Sequence, residues 1–320
     1  MSSNSCDFTD DVRVIKSRVN HLAQGKTLLE YLSGRFTYHD LLMWQREVNS
    51  GRLKLNGKVV PQDTVLRCGD EISYLPETVA EPNVDLNYKI VFEDDYVVVI
   101  DKPGNLPTHP AGAYMQNTLW FQLRKIYGNI FPVNRLDMET SGLLIFTKDP
   151  KLQAKFVESI GYKEYYVLVH GCFQGEVQAS GFIYKDSSSV LRKKRKFSYD
   201  YPLDIEENLK VETSSTFFEA VKSNDRFTLI KAVLGTGRTH QIRATLSSLG
   251  FPVVGDKIYG LNEDFFLKRR EDRLTAEDRE LLILKRQALH SHRLIFRHVV
   301  TDKFMEFSTP IPKEISDLLS

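Results

Sequence analysis

The feature that most limits what this chain can become is a set of apolar, β-branched and aromatic runs downstream of residue 85. Tyr96-Val-Val-Val-Ile-Asp101, Leu143-Leu-Ile-Phe-Thr147, Tyr165-Tyr-Val-Leu-Val-His170 and Phe227-Thr-Leu-Ile-Lys-Ala-Val-Leu234 each have the length and composition of a sheet strand. Helical spacing separates only some of them. Leu119, Leu123, Ile126 and Tyr127 share one face before Gly128, and Leu152, Phe156, Val157 and Ile160 share one before Gly161, each glycine reading as a helix stop. Strands mixed with helices, without regular βαβ alternation, predict an α+β fold. With 320 residues, 42% of them hydrophobic, the chain can bury a substantial core. No repeat of solenoid period is present.

The N-terminal part reads differently. Residues 1–24 are polar and lack a sustained period, which predicts an arm that packs on the body or stays mobile. Residues 25–76 follow as a small module. Thr27-Leu-Leu-Glu30 has the form of a helix-opening capping box, and Leu41, Leu42, Trp44 and Val48 mark a second helix ending at Asn49-Ser50-Gly51. Arg52–Val60, with its Asn56-Gly57 turn signal, and Gly69–Leu75 read as strands. This unit, notably Ser50-Gly-Arg-Leu-Lys-Leu-Asn-Gly-Lys58 followed by Gly69-Asp70, resembles an S4-type RNA-binding domain. In that family the two helices carry a basic face, whereas the second helix here offers only Arg46 beside Trp44, Gln45 and Glu47. A Pro-rich, polar linker spans residues 77–87, and a larger domain occupies 88–320.

Charge says little about partners, since 43 basic residues face 42 acidic ones for a net +1. Any basic surface must be local, and the densest run, Arg192-Lys193-Lys194-Arg195-Lys196, could neutralise several phosphates, although an exposed basic run is more often a solvated loop or edge. The three cysteines, Cys6, Cys68 and Cys172, are too scattered for a disulfide framework or a cysteine-rich zinc site. No apolar run is long enough to span a membrane, and the N-terminus lacks the pattern of a secretory signal, so the expected address is cytoplasmic. Nothing demands more than a monomer.

Two segments carry the chemistry. Asn134-Arg-Leu-Asp-Met-Glu-Thr-Ser-Gly-Leu-Leu-Ile-Phe-Thr-Lys148 sets a carboxylate, an arginine and a Thr-Ser-Gly turn directly ahead of an apolar strand, a usual place for a site. Asp137 also suits a turn that bonds its own backbone, and from this segment alone both readings stand. Gly235-Thr-Gly-Arg-Thr-His-Gln-Ile-Arg-Ala-Thr-Leu-Ser-Ser-Leu-Gly250 runs from a glycine-bearing loop into a helix with Ile242, Leu246 and Leu249 on one face, and its first backbone N–H groups would favour an anion. It is neither a Walker motif nor G-x-G-x-x-G, which disfavours nucleoside-triphosphate chemistry. His240 has no second histidine at i+4, and His290, His292 and His298 do not follow a ligand pattern, so no metal site is expected.

Together these segments resemble the RluA-type family of RNA pseudouridine synthases. The similarity rests on Arg135-Leu-Asp137 with Thr140-Ser-Gly-Leu-Leu144, on Thr236-Gly-Arg-Thr-His-Gln-Ile-Arg243, and on Leu249–Asp256 with Tyr259-Gly260. Asp101-Lys-Pro-Gly104 with His109-Pro110, Lys163-Glu-Tyr165 through Val169-His-Gly171, and Ala288-Leu-His290 with Phe296-Arg-His298 extend it over roughly residues 88–312. Two positions depart from the family pattern, which usually has histidine where this chain has Asn134 and Thr245.

The resemblance implies a mixed, mainly antiparallel central sheet with flanking helices, and an isomerase that converts uridines of structured rRNA or tRNA without cofactor or metal. It assigns Asp137 as the catalytic carboxylate, acting as nucleophile or base, with Arg243 as its ion-pair partner and Tyr165 to stack on the flipped base and handle a proton. Arg135 would help fill the space that the base vacates, and Arg238, Thr239, His240 and Gln241 would bind substrate. The alternative is a non-catalytic RNA-binding or ribosome-assembly protein on the same fold, against which the joint presence of Asp137, Tyr165 and Arg243 speaks.

Overall fold

Why the apolar runs are uninterrupted is plain from the sheet they build. In the strand Val97–Lys102, Val98 and Ile100 belong to one buried cluster while Val97 and Val99 belong to another on the opposite face. The strand Ser141–Thr147 does the same, with Leu144 and Phe146 on one side and Leu143 and Ile145 on the other. A strand buried on both faces needs apolar side chains at successive positions.

The computed structural model describes the chain except residues 1–7, 10–11, 37–38, 78–80 and 204–208. The chain divides into two compact units, Met1–Pro82 with Ala111–Met115, and Asn83–Pro110 with Gln116–Ser320. The larger unit holds an 11-stranded sheet among the described residues. Its strands lie in the order Arg195–Ser198, Glu176–Lys185, Glu212–Ser223, Phe227–Leu234, Ile160–His170, Leu289–Arg297, Ser141–Thr147, Val97–Lys102 and Lys89–Glu93. Phe304–Ser308 pairs with Leu289–Arg297, and Phe131–Pro132 with Ser141–Thr147. Every pairing is antiparallel except the one joining Leu289–Arg297 to Ser141–Thr147, so the sheet is the mixed, mainly antiparallel one expected, with helices flanking it. At that parallel junction Gly142 sits at φ 104°, and a Cβ there would lie 2.2 Å from the Ser291 carbonyl oxygen, so only glycine lets the two strands meet.

The helix Leu119–Tyr127 stops at Gly128 (φ 68°) as predicted, although Ile126 is exposed. Gly161 does not end a helix. The helix Gln153–Ser159 closes earlier, and Ile160 and Gly161 already belong to the strand Ile160–His170, where Ile160 pairs with Phe296. Ile160, placed on a helix face by its spacing, is partly buried through the sheet instead.

In the smaller unit the capping box is present. Thr27 Oγ1 accepts from the Glu30 N–H at 3.2 Å, and Glu30 accepts from the Thr27 N–H at 2.8 Å, opening the helix Leu28–Arg35. The helix Leu41–Asn49 buries Trp44, Glu47 and Val48 while Leu41 and Leu42 stay exposed. Asn56 and Gly57 both have positive φ, as their turn demands. Within residues 1–24, Ile15–Arg18 packs on the module as a strand that pairs with Glu71–Tyr74, which in turn pairs with Leu53–Leu55. Ser17 and Val19 are buried there, an alternation too short to stand out in the sequence. The first seven residues of that arm, and residues 78–80 of the linker, lie outside the described residues.

Candidate active site

The loop that carries Asp137 is held by its backbone. Lys102, fully buried, donates from Nζ to the carbonyls of Pro103 (2.9 Å), Leu106 (2.9 Å) and Met138 (3.2 Å). Burial pushes its pKa down to about 7, the Arg286 charge adding to the effect. Thr108 Oγ1 donates to the Leu136 carbonyl at 2.8 Å, the Leu106 N–H reaches the Met138 carbonyl at 3.0 Å, and Gln287 donates to Thr140 Oγ1 at 2.6 Å. Asn134, where the family usually has histidine, accepts from the Ile145 N–H at 2.8 Å and closes the loop onto the strand. Asp137 does form a turn, but through its carbonyl, which accepts from the Thr140 N–H at 3.1 Å. Its carboxylate is left for other partners.

Those partners come from the helix Gln241–Ser248. Arg243 Nη1 donates to Asp137 Oδ2 at 2.7 Å, while Nε and Nη2 of the same guanidinium grip Asp256 at 2.6 and 2.8 Å. Asp256 is itself fixed by the backbone N–H groups of Ile258 (2.9 Å) and Tyr259 (3.0 Å). Burial alone would raise the Asp137 pKa, but the charge of Arg243 and its hydrogen bond outweigh that and hold it at about 2. Burial likewise opposes the charge of Arg243, and Asp256 and Asp137 together keep it firmly protonated. The Asp256 carboxyl is held low by the same guanidinium against its own burial. Asp137 is therefore an ionised carboxylate whose side chain stays 33% exposed, against 5% for Arg243 and none for Asp256.

His240 heads the helix in the left-handed conformation at φ 57°, uncommon for a residue other than glycine. Its Nδ1 lies 2.8 Å from the Tyr259 hydroxyl, and its Nε2 lies 3.8 Å from Asp137 Oδ1. Burial and the Arg243 charge lower its pKa to about 4, so the ring is neutral at pH 7. Tyr165, on the strand Ile160–His170 opposite Ser291, is 7% exposed. Burial, with a contribution from the Asp137 charge, pushes its phenol up to about 12.

The structure thus brings Asp137, Arg243, His240 and Tyr165 together and sends other expected site residues elsewhere. Arg238 Nε donates to the Thr213 carbonyl at 3.0 Å, and its guanidinium stands 3.6 Å from Glu212. Gln241, 3% exposed, accepts from the Arg238 N–H at 2.9 Å and donates to Ser215 O and Thr216 Oγ1, so it braces the loop against the strand Glu212–Ser223. Thr239 and Arg135 are exposed, Arg135 without an ion pair among the described residues. Of the basic run, Lys194 pairs with Glu263 at 2.7 Å and Lys193 lies 3.6 Å from the centroid of Phe266. Asp256, Tyr259 and Lys102 stood in the motifs of the sequence without a role, and a motif alone does not show which side chains it turns inward.

Comparison with known proteins decides the family. The family model described as RNA pseudouridylate synthase matches residues 96–248, a span that holds Asp137, Tyr165, His240 and Arg243. The ribosomal large subunit pseudouridine synthase D of Xanthomonas campestris is 30% identical over 312 residues, covering 92% of this chain and 87% of that protein. The chain belongs to the RNA pseudouridine synthases. It is an RNA-acting isomerase, and the non-catalytic alternative gives way to that. The mitochondrial tRNA pseudouridine(32) synthase of Saccharomyces cerevisiae is 29% identical, covering 74% of this chain and 51% of that protein. Among solved structures, human RNA pseudouridylate synthase domain containing 1 matches with a TM-score of 0.54 and 25% identity, over 72% of this chain and 86% of that one. No helix among the described residues is long and apolar enough to cross a membrane.

Proposed function

We propose that this synthase isomerises selected uridines in structured rRNA or tRNA with Asp137 as its catalytic carboxylate, using neither metal nor cofactor. The observation that carries this reading is the single guanidinium shared by two carboxylates, one sealed and one open, because it keeps a charged carboxylate at an accessible surface. The reaction breaks the N1–C1′ bond of uridine, turns the uracil and joins C5 to C1′; the hydrogen on C5 leaves and N1 gains one, so no atom is lost overall. An ionised Asp137 beside the electron-poor ribose carbon serves as nucleophile or base. Tyr165, neutral near pH 7, offers a ring edge and an O–H to the base. Arg135, exposed two residues before Asp137, is placed to enter the space a flipped base leaves.

The unit before residue 77 is read as an S4-type RNA-binding module. Its two capped helices and the Asn56-Gly57 hairpin turn support that reading. Substrate choice between rRNA and tRNA is left to mapping, since similar proteins named for each match this chain.

The test is pseudouridine mapping of total RNA from cells with the intact protein, with Asp137→Asn, or with none. Sites that vanish in both the null and the variant support the assignment and name the substrate. Sites that persist in the variant remove Asp137 from the mechanism. Activity of the purified chain is expected to survive a chelator.

A further inference from the structure

A chain of hydrogen bonds runs from the basic strand into the site. The Arg195 N–H donates to the Tyr259 hydroxyl oxygen at 2.8 Å, and the same hydroxyl lies 2.8 Å from His240 Nδ1. Tyr259 is 1% exposed and cannot turn away: Asp256 accepts from its backbone N–H, and Arg243 Cζ stands 4.9 Å from its ring centroid. With its oxygen already accepting from Arg195, the buried phenol has its own hydrogen to place, and among the described residues His240 Nδ1 is the acceptor within reach, which makes Nδ1 the unprotonated nitrogen. The other end of the ring agrees. Nε2 faces the Asp137 carboxylate at 3.8 Å, and an anion there favours a hydrogen on Nε2.

The geometry points to Tyr259 as a positioning residue that fixes His240 in the Nε2–H form, making His240 a hydrogen-bond donor to an oxygen of the uridine bound against Asp137. The substrate half of this inference rests on Asp137 being the catalytic carboxylate; the tautomer does not. At 3.8 Å the Nε2–H is too far for a hydrogen bond to Oδ1, which leaves that hydrogen available to a ligand oxygen inserted beside the carboxylate. His240 takes the left-handed conformation at φ 57°, and its ring is fixed there by the Tyr259 hydroxyl and by burial against Arg243.

Two substitutions separate this role from a merely conformational one. Asparagine is the better residue for a left-handed helix-capping position, but its amide nitrogen reaches only to where Nδ1 stands; the amide nitrogen of glutamine reaches to Nε2. On RNA from cells lacking the protein, with the full chain in excess, His240→Gln should slow single-turnover pseudouridine formation by about tenfold or less and His240→Asn by about a hundredfold. Tyr259→Phe should slow it about tenfold while leaving the half-saturating protein concentration unchanged. Nitrogen-15 NMR of the histidine-labelled chain, with His240 assigned by its absence in His240→Gln, should show the Nε2–H form in the wild type and its loss in Tyr259→Phe. An Nδ1–H ring in the wild type, or His240→Asn at least as fast as His240→Gln, overturns the inference. Retained activity in Asp137→Asn would instead sink the assignment of Asp137 while leaving the NMR result intact.

Discussion

Two loops present an aspartate to the same guanidinium and put it to opposite uses. In the loop around Asp256 the carboxylate is sealed, bound twice by Arg243 and twice by backbone N–H groups, with both oxygens engaged and no part of the side chain exposed. Gly255 lets this loop close at φ 75°, where a Cβ would lie 2.1 Å from the Arg286 carbonyl oxygen. In the loop around Asp137 the backbone is held as firmly, but the carboxylate has one hydrogen bond to Arg243 and keeps 33% of its side chain exposed. The first aspartate steadies a cation and the second is steadied by it. The difference is one of access: Asp256 has no exposed side-chain surface, whereas Asp137 keeps one side open.

The largest break in this comparison should come from Asp137→Asn. Loss of the charge is expected to reduce pseudouridine formation by about 10⁴-fold or more, measured as single-turnover conversion with the protein in excess. The fold should lose far less than the chemistry. Arg243 retains its two bonds to Asp256, and the depressed Asp137 carboxyl limits the loss at neutral pH to about 2 kcal/mol, so the urea denaturation midpoint should fall only modestly. A large stability loss in this variant would make Asp137 another structural counter-ion.

Asp256→Asn should give the converse. It leaves Arg243 buried with only the open carboxylate to balance it, at a cost of roughly 3–5 kcal/mol in stability read from the same urea titration. Activity should fall as well, because a displaced guanidinium no longer fixes Asp137 Oδ2. If stability is unchanged, the contrast between a sealed and an open carboxylate fails.

How far the sequence reveals such a contrast depends on what each residue type shows locally. The strands were legible because burial on both faces leaves unbroken apolar runs, and the capping box because both of its bonds close within one turn. The strand Ile15–Arg18 was not: four residues with one fully buried side chain, Ser17, leave no periodic trace. At the site, Asp137 and Arg243 lie 106 positions apart, and only the resemblance to the RluA-type family joined them. Asp256 and Tyr259 sat in a quoted motif with no role, since nothing local shows that one saturates Arg243 and the other orients His240. Arg238 and Gln241, which the resemblance assigns to substrate binding, also direct polar groups to the strand Glu212–Ser223, a long-range bracing that the motif does not display.

A smaller effect sharpens the comparison through pH. His240, lying between the two loops, has a folded-state pKa of about 4, below the value near 6.5 of an exposed histidine. Between those values the unfolded chain binds more protons at this residue than the folded one, so stability is full above about pH 6.5 and declines as the pH falls toward 4, by at most about 1.4 kcal/mol per pH unit. Asp137, lowered to about 2 in the folded state, adds stability that is present above pH 4 and is lost only as the pH falls further toward 2. The two windows hardly overlap. In urea titrations at successive pH values, His240→Gln should make the limb between pH 6.5 and 4 shallower, the remainder coming from His290, which burial lowers to about 3, and leave the acid limb, whereas Asp137→Asn should weaken the acid limb. It should also change the upper limb, because the carboxylate that partly favours a protonated His240 is gone and the imidazole pKa drops further. An upper limb with the same slope in His240→Gln as in the wild type would assign all of it to His290 and the other buried histidines, and the neutral His240 on which the contrast between the loops depends would lose its support.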